Sequence, residues 1–393
     1  MVSSSSRNKK AVKRPNVNSN AKTKGKKQKK VNTKIDRKFR KTIKTPNSIS
    51  TVNKYCSPYG NLNRVKKGSC FSPDAVLNLI EGYNNKYPQD RIPIEMDSST
   101  VLSKMKSREM MNMLKEKMRN KATCEDDVCW IDSLMLNPSD KTKYKKLLHR
   151  PKRPAEWNSN PNTWLSSLDI QNVLNQYEKT HPEFRFFGPS PMDFDTRYDD
   201  KSCVCNNLCN LSLQDEYKKG IRKIGVVFNE DKSGENGSHW VAFFIDLDDR
   251  FLFYYDSVGN EMLSGMKRFK KKMLKQGNKL FSPKKMKFHQ NNFSHQKRNT
   301  ECGMYCIYFT ISMLLRRVDI LADPDSNQDP TSNQDPTSNQ DPTSNQNGGN
   351  EEVKETDLSR TMNLKELLHY FTKQRIPDSF VFQYRQHLFG GTS

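Results

Sequence analysis

Three apolar runs in close succession constrain this chain more than any other feature. They are residues 224–229 (IGVVFN), 240–247 (WVAFFIDL) and 251–257 (FLFYYDS). Each is short and rich in β-branched and aromatic residues, so each reads as a strand. Only Asp248, Asp249 and Arg250 separate the last two, a connection short enough for an antiparallel hairpin. A further short strand is expected around residues 286–290 (MKFHQ). Beyond Cys302 the period changes: Met304, Ile307, Tyr308, Ile311, Leu314 and Leu315 recur at helical spacing. The expected fold class is therefore α+β, strands followed by an apolar helix.

Upstream the pattern is helical. Ser72-Pro73-Asp74 is a helix start, and Val76, Leu79 and Ile80 share one face. With residues 99–118 (STVLSKMKSREMMNMLKEKM) this gives an N-terminal helical region, taken as 51–125. A second helix follows Trp164, with Ile170, Val173, Leu174 and Tyr177 as its core stripe. The main body spans 126–393 and is interrupted at 322–356 by the repeat SNQDPT, which begins at Ser326, Ser332, Ser338 and Ser344. Its polar residues and recurring prolines cannot build a core, so a flexible insertion is expected; helical pattern returns after it.

Charge is unevenly placed. The chain carries +23 overall, and residues 1–50 hold 17 Lys or Arg against the single acid Asp36, or +16. That leaves about +7 for everything else (23 − 16). Residues 1–50 are expected to be a disordered basic tail. It serves either as a solubilising or nuclear-import segment or as an arm that neutralises nucleic-acid phosphates. No apolar run reaches membrane-spanning length, and no apolar stretch follows the N-terminal charges, so neither membrane nor secretion is expected. The nine cysteines are then expected to be reduced thiols. Residues 203–209 (CVCNNLC) lack a fourth ligand at the usual spacing, so no metal site is assigned.

A cysteine nucleophile needs a thiolate, a base and an anion-stabilising donor. Cys302 has the best setting among the thiols. Gly303 permits close approach, and the helix starting there turns its positive end toward the sulfur. His239 lies at a loop-to-strand junction, and Asp256 ends the partner strand of the hairpin, so two neighbouring strands can bring imidazole and carboxylate together. His289 and His295 are nearer Cys302 in sequence, but no paired strand supplies either with an acid. Gln296 can offer its amide to a developing oxyanion, together with the Cys302 backbone N–H.

In the order His239, Asp256, Gln296, Cys302, the segments SHW, YYDS and Q-x5-C-G-M resemble the ubiquitin-like-protein (SUMO-type) protease and adenovirus-protease clan of cysteine peptidases. Glu301 stands where that clan commonly has Asp, and papain-like enzymes place Cys first instead. WLSSLDI resembles the clan's substrate-side helix, with Trp164 at its start, and Trp240 matches the usual wall of the cleft. Segments CWIDSLML and FRFFGPSPMDF are most similar to the polyprotein-processing proteases of large cytoplasmic DNA viruses.

The resemblance implies a papain-like/adenovirus-protease-like core with a central mixed sheet and flanking helices. It implies catalytic His239, Asp256, Gln296 and Cys302, and a substrate cleft at Trp240 and Trp164. It further implies a cysteine endopeptidase that cleaves capsid or core polyproteins at Gly-Gly-Xaa sites during virion maturation, in the virion and the cytoplasmic virus factory. Neither metal nor organic cofactor is required. Adenovirus-type relatives are stimulated by DNA, so the tail could couple cleavage to nucleic acid. The alternatives are an isopeptidase acting on host ubiquitin or SUMO conjugates, and a catalytically inactive nucleic-acid-binding packaging protein.

Overall fold

The computed structural model of the chain describes residues 56–58, 70–94, 104–119, 121, 127–199, 202–319 and 359–390. The tail expected at 1–50, the insertion at 322–356 and Cys124 lie outside these residues.

Four helices open the described chain. In α1 (Pro73–Lys86), Ser72 Oγ accepts the Ala75 N–H at 3.2 Å and Pro73 occupies the first turn, where its missing N–H costs nothing. The expected face is buried: Val76, Leu79 and Ile80 are fully inside. They share a core with Met111 and Leu114 of α2 (Lys104–Arg119), Trp130 and Ile131 of α3 (Asp127–Ser133), and Tyr144 and Leu147 of α4 (Pro138–Leu148). The helical core thus runs on to Leu148, past the boundary expected at 125. Gly82 makes the join. A Cβ there would lie 2.7 Å from Leu136 Cδ2 and 2.9 Å from the Met135 carbonyl oxygen, so a side chain would push the turn after α3 off α1.

The sheet-bearing part begins with α5 (Ser167–Thr180), whose start is a reciprocal capping box between Ser166 and Asp169. Its predicted stripe, Ile170, Val173, Leu174 and Tyr177, is buried. Then come β1 (Phe184–Pro191), the short α6 (Asn206–Cys209) and α7 (Leu213–Lys218), β2 (Lys223–Asn229), β3 (Trp240–Asp246), β4 (Phe251–Tyr255), α8 (Ser264–Leu280), β5 (Lys287–Gln290) and α9 (Cys302–Leu315). The strands form a mixed five-stranded sheet in the order β1-β2-β3-β4-β5. The outer pairs are parallel and the two inner pairs antiparallel. All four expected strands are present. Asp246 Oδ1 closes the hairpin by accepting the N–H groups of Asp248 (3.1 Å) and Asp249 (2.9 Å). Within this sheet the unforeseen strand is β1. Its FRFFGPSP sequence contains Gly188-Pro189 and Pro191, the register shifts between Phe187 and Ser190, and such a strand is tolerated at a sheet edge.

Helices cover both faces. Met266, Phe269 and Met273 of α8 pack on one, with Phe269 5.0 Å from Phe243 between ring centroids. On the other, Phe309 of α9 stacks on Tyr255 at 4.5 Å and meets Phe253 at 5.0 Å. The expected stripe of α9 is inside except for half-buried Leu315, but every residue from 302 to 314 is buried, so the helix is core all round. The second coat comes from beyond the insertion. Strand β6 (Arg317–Asp319) pairs antiparallel with β7 (Ser359–Thr361), closing the insertion at its base, and α10 (Leu364–Lys373) and α11 (Asp378–Leu388) follow. Phe371 and Tyr384 then meet Tyr308 at 6.0 and 5.2 Å.

The expectation of reduced thiols fails at two places. Cys56 is bonded to Cys70 and Cys203 to Cys209, with Cα–Cα separations of 5.4 and 6.6 Å, both within the reach a disulfide needs. Cys205, Cys302 and Cys306 are free thiols. Among the described residues, no helix is long and apolar enough to cross a membrane, and no group of His, Cys, Asp or Glu has metal-binding geometry.

Candidate active site

The hairpin brings the predicted pair together. His239 immediately precedes β3 and Asp256 immediately follows β4; because Ala242 pairs with Tyr255, both fall at the same end of the sheet. His239 Nε2 lies 2.6 Å from Asp256 Oδ1. The carboxylate is fully buried and accepts two further hydrogen bonds, while Asn291 holds the backbone. Val258 N–H donates to Oδ1 at 3.0 Å and Asn260 N–H donates to Oδ2 at 2.8 Å. The Oδ1 of Asn291 accepts the Asp256 N–H at 2.9 Å and its Nδ2 donates to the Asp256 carbonyl at 2.6 Å.

Cys302 opens α9, and its sulfur is near enough to the His239 side chain to favour the imidazolium. With Nε2 committed to the carboxylate, Nδ1 is the ring nitrogen left for sulfur. Burial works against the imidazolium. The Asp256 hydrogen bond and the nearby Asp256 and Cys302 groups outweigh it, and the His239 pKa is pushed up to about 10. Glu301, before the helix, makes no side-chain cap, so the positive end of α9 is not neutralised by its own N-cap. Gly303 is closely enclosed: a Cβ would lie 3.2 Å from Leu165 Cβ and 3.3 Å from Trp240 Cδ1. Trp240 Nε1 donates to the Leu165 carbonyl at 3.2 Å. Trp240 and the more exposed Trp164 line a cleft of about 670 Å³.

Gln296 is buried beside the pair. Its backbone N–H and that of His295 both donate to the Ser257 carbonyl, at 2.9 and 2.8 Å. Its Oε1 accepts the Ser257 hydroxyl at 2.7 Å, and its Nε2 donates to the Arg298 carbonyl. Since a carbonyl only accepts, the amide is oriented with nitrogen toward Arg298, leaving one N–H for another acceptor. His295 has a different part. Its Nδ1 accepts the Ile376 N–H at 3.3 Å and its Nε2 faces the Phe371 carbonyl at 2.9 Å. Burial holds its pKa down to about 4. It is a neutral structural residue.

Several supporting residues escaped the sequence reading. Arg385 of α11 forms a two-point ion pair with Glu301 (Nε–Oε2 2.9 Å, NH2–Oε1 2.8 Å), both side chains almost wholly buried. Asp378 accepts the N–H groups of Lys297 and Arg298 at 3.0 Å each and the Tyr305 hydroxyl at 2.9 Å. The Gln296-to-Cys302 loop is thus fastened by a segment that follows the insertion. Only Asn291 left a usable signal: Tyr254 pairs with Gln290, so the next residue along β5 falls level with the Asp256 turn.

Residues 222–321, which contain His239, Asp256, Gln296 and Cys302, match the profile of the Ulp1 protease family, C-terminal catalytic domain. The chain carries a Ulp1-like cysteine protease domain. The protease is 27 % identical over 259 residues to a protein of Acanthamoeba polyphaga mimivirus described as a thiol protease, covering 63 % of this chain and 81 % of that one. It is 25 % identical over 229 residues to a cysteine protease of African swine fever virus, covering 54 % and 81 %. In another isolate of that virus the corresponding protein is named a SUMO-1 cysteine protease. The crystal structure of the African swine fever virus protease aligns with 76 % of this protease and 93 % of that chain, at 20 % identity and a TM-score of 0.43. The protease has viral thiol proteases as relatives and acts on protein.

Proposed function

We propose that this protein is an endopeptidase that cuts viral structural polyproteins at Gly-Gly-Xaa sites during virion maturation, with Cys302 as nucleophile. The observation that carries the reading is one imidazole set between two groups: His239 bonded to buried Asp256 at 2.6 Å, with the Cys302 sulfur beside it. In the proposed reaction His239 holds the thiol proton as an imidazolium beside the Cys302 thiolate, Asp256 fixes the ring and supports its positive charge, and the thiolate attacks the scissile carbonyl carbon. The Cys302 backbone N–H and the remaining Gln296 N–H stabilise the oxyanion. Collapse breaks the C–N bond, and the imidazolium gives its proton to the leaving amine. Water, deprotonated by His239, then hydrolyses the thioester and releases the thiolate. Apart from that water, the proposed steps use the protein's own groups. The tryptophan-walled cleft supports a preference for glycine before the scissile bond, because the bulk of Trp240 and Trp164 leaves less room for a larger residue.

A second reading, removal of ubiquitin-like proteins from conjugates, is favoured by the SUMO-1 protease name of one African swine fever virus relative. The two separate in one assay. Gly-Gly-Xaa peptides and ubiquitin-like conjugates are offered to the same preparation, and a Gly-Gly vinyl-sulfone probe maps the labelled thiol. Turnover of the conjugates alone would transfer the proposal to the isopeptidase; label on any cysteine but Cys302 would remove the mechanism. An inactive packaging protein would show neither turnover nor label. We place the enzyme in the virion and the virus factory because its proposed substrates assemble there. Residues 1–50 are proposed to associate with nucleic acid through charge alone, and stimulation by DNA would follow from that association.

A further inference from the structure

Residues 264–287 contain ten Lys or Arg and no acid. Most of this segment is α8, and its fold gives the charge a direction. Met266, Phe269 and Met273 are fully buried against the sheet, so the opposite face of the helix looks outward. On it Lys267, Lys271, Lys275 and Lys279 follow one another at i, i+4, i+8 and i+12, all exposed. At about 1.5 Å per residue they form a ridge with a cation roughly every 6 Å. None of the four enters an ion pair among the described residues, whereas neighbouring Arg268 is held by Asp195 at 2.6 and 2.8 Å. Like charges at i, i+4 weaken a helix, and a merely solubilising face ordinarily mixes signs. This ridge keeps its self-repulsion unrelieved.

We propose that the lysine ridge of α8 is a docking surface for nucleic acid, which it grips through the phosphate backbone without reading sequence. Three features select this partner. A membrane-surface helix needs its apolar face for lipid, and here Phe269 spends that face on Phe243 and Phe228, with ring centroids at 5.0 and 5.3 Å. A protein partner is usually anchored by aromatic or apolar residues set into pockets, and the ridge presents only ammonium groups. A polymer with a regularly repeated anion is what an unbroken row of point charges fits. The ridge also lies on the sheet face opposite α9, so a bound polymer leaves the cleft at Trp240 open. The surface is separate from residues 1–50 and is read out by binding, so it does not depend on the proposed reaction.

The test is the full chain carrying Lys267→Gln, Lys271→Gln, Lys275→Gln and Lys279→Gln, compared with the four Lys→Arg changes. Fluorescence anisotropy follows a short duplex of arbitrary sequence between about 50 and about 200 mM salt. Each lost phosphate contact lowers the slope of log K against log salt by about 0.9, so the Gln variant should lose up to about 3.6 and the Arg variant none. The same difference should persist in chains lacking residues 1–50. An unchanged slope in a Gln variant with wild-type thermal melting would overturn the proposal. So would binding that vanishes entirely with residues 1–50. Two competitors test the partner class: polyglutamate of equal charge, or phosphatidylserine vesicles, displacing the duplex as well as free duplex does would assign the ridge to an acidic protein or a membrane instead.

Discussion

Arg385 forms a buried, two-point ion pair with Glu301, the residue immediately before Cys302, across 84 positions of sequence and the whole repeat insertion. Burial pushes the Glu301 carboxyl up and the Arg385 guanidinium down, against the attraction between them. Such a pair fixes geometry more than it adds net stability. Removing one partner strands the other, so Arg385→Ala should cost about 3–5 kcal/mol in denaturant unfolding and take most activity with it. Arg385→Lys cannot reproduce the two-point contact and should restore stability only in part. The combined Glu301→Met, Arg385→Leu chain should be more stable than Arg385→Ala. If it is instead the less stable of the two, the stranded-charge account is wrong.

Cys302→Ala and His239→Ala should each abolish peptide cleavage while leaving the fold intact, because Cys302→Ala removes a single sulfur at the start of α9 and His239 stands just before β3. Normal turnover in Cys302→Ala would reassign the nucleophile. Gln296→Ala should lower kcat by roughly 10²–10³, the scale of one lost oxyanion donor. Ser257→Ala, which removes only the hydroxyl holding Oε1, should lose less; an equal loss would point to Ser257 itself.

The pH profile should carry the signature of His239. Its folded pKa, about 10, exceeds the ordinary 6.5, so the imidazolium persists through neutral pH. Activity that needs the charged pair should fall on the alkaline side near pH 10, and Asp256→Asn should move that limb toward lower pH. The stability linked to this group is fully present below about pH 6.5 and is lost as pH rises through about 10. Unfolding midpoints and kcat/KM followed across that window check both; an alkaline limb that ignores Asp256→Asn would contradict the assignment.

Gly303→Ala is a test of the cleft. The new methyl would stand 3.2 Å from Leu165 and 3.3 Å from Trp240, so one wall must give way. Overpacking of this kind costs about 1–3 kcal/mol. The expected readout is a raised KM for Gly-Gly peptides together with a lowered melting temperature. Unaltered kinetics would mean the cleft lies elsewhere.

The sequence by itself determined the pieces whose information is local. Short apolar runs specified β2, β3 and β4, and helical spacing specified α1, α5 and α9. The four-residue link between β3 and β4 was enough to set His239 beside Asp256, since a hairpin's register follows from its turn. The chain order His, Asp, Gln, Cys then indicated the chemistry. Tertiary structure decided everything that depends on closing long loops. Strand β1 forms because β2 offers a parallel edge to a segment too interrupted by Gly and Pro to read as a strand. Two pairs of cysteines meet only when their backbones fold within bonding reach. Asp378 and Arg385 look like ordinary surface charges in sequence; they become buried because α9, apolar on every side, needs a second layer, and the chain supplies it from beyond the insertion. Local periodicity is written in neighbouring residues, whereas the partner of a buried charge is chosen by the packing of segments that share no neighbourhood in sequence.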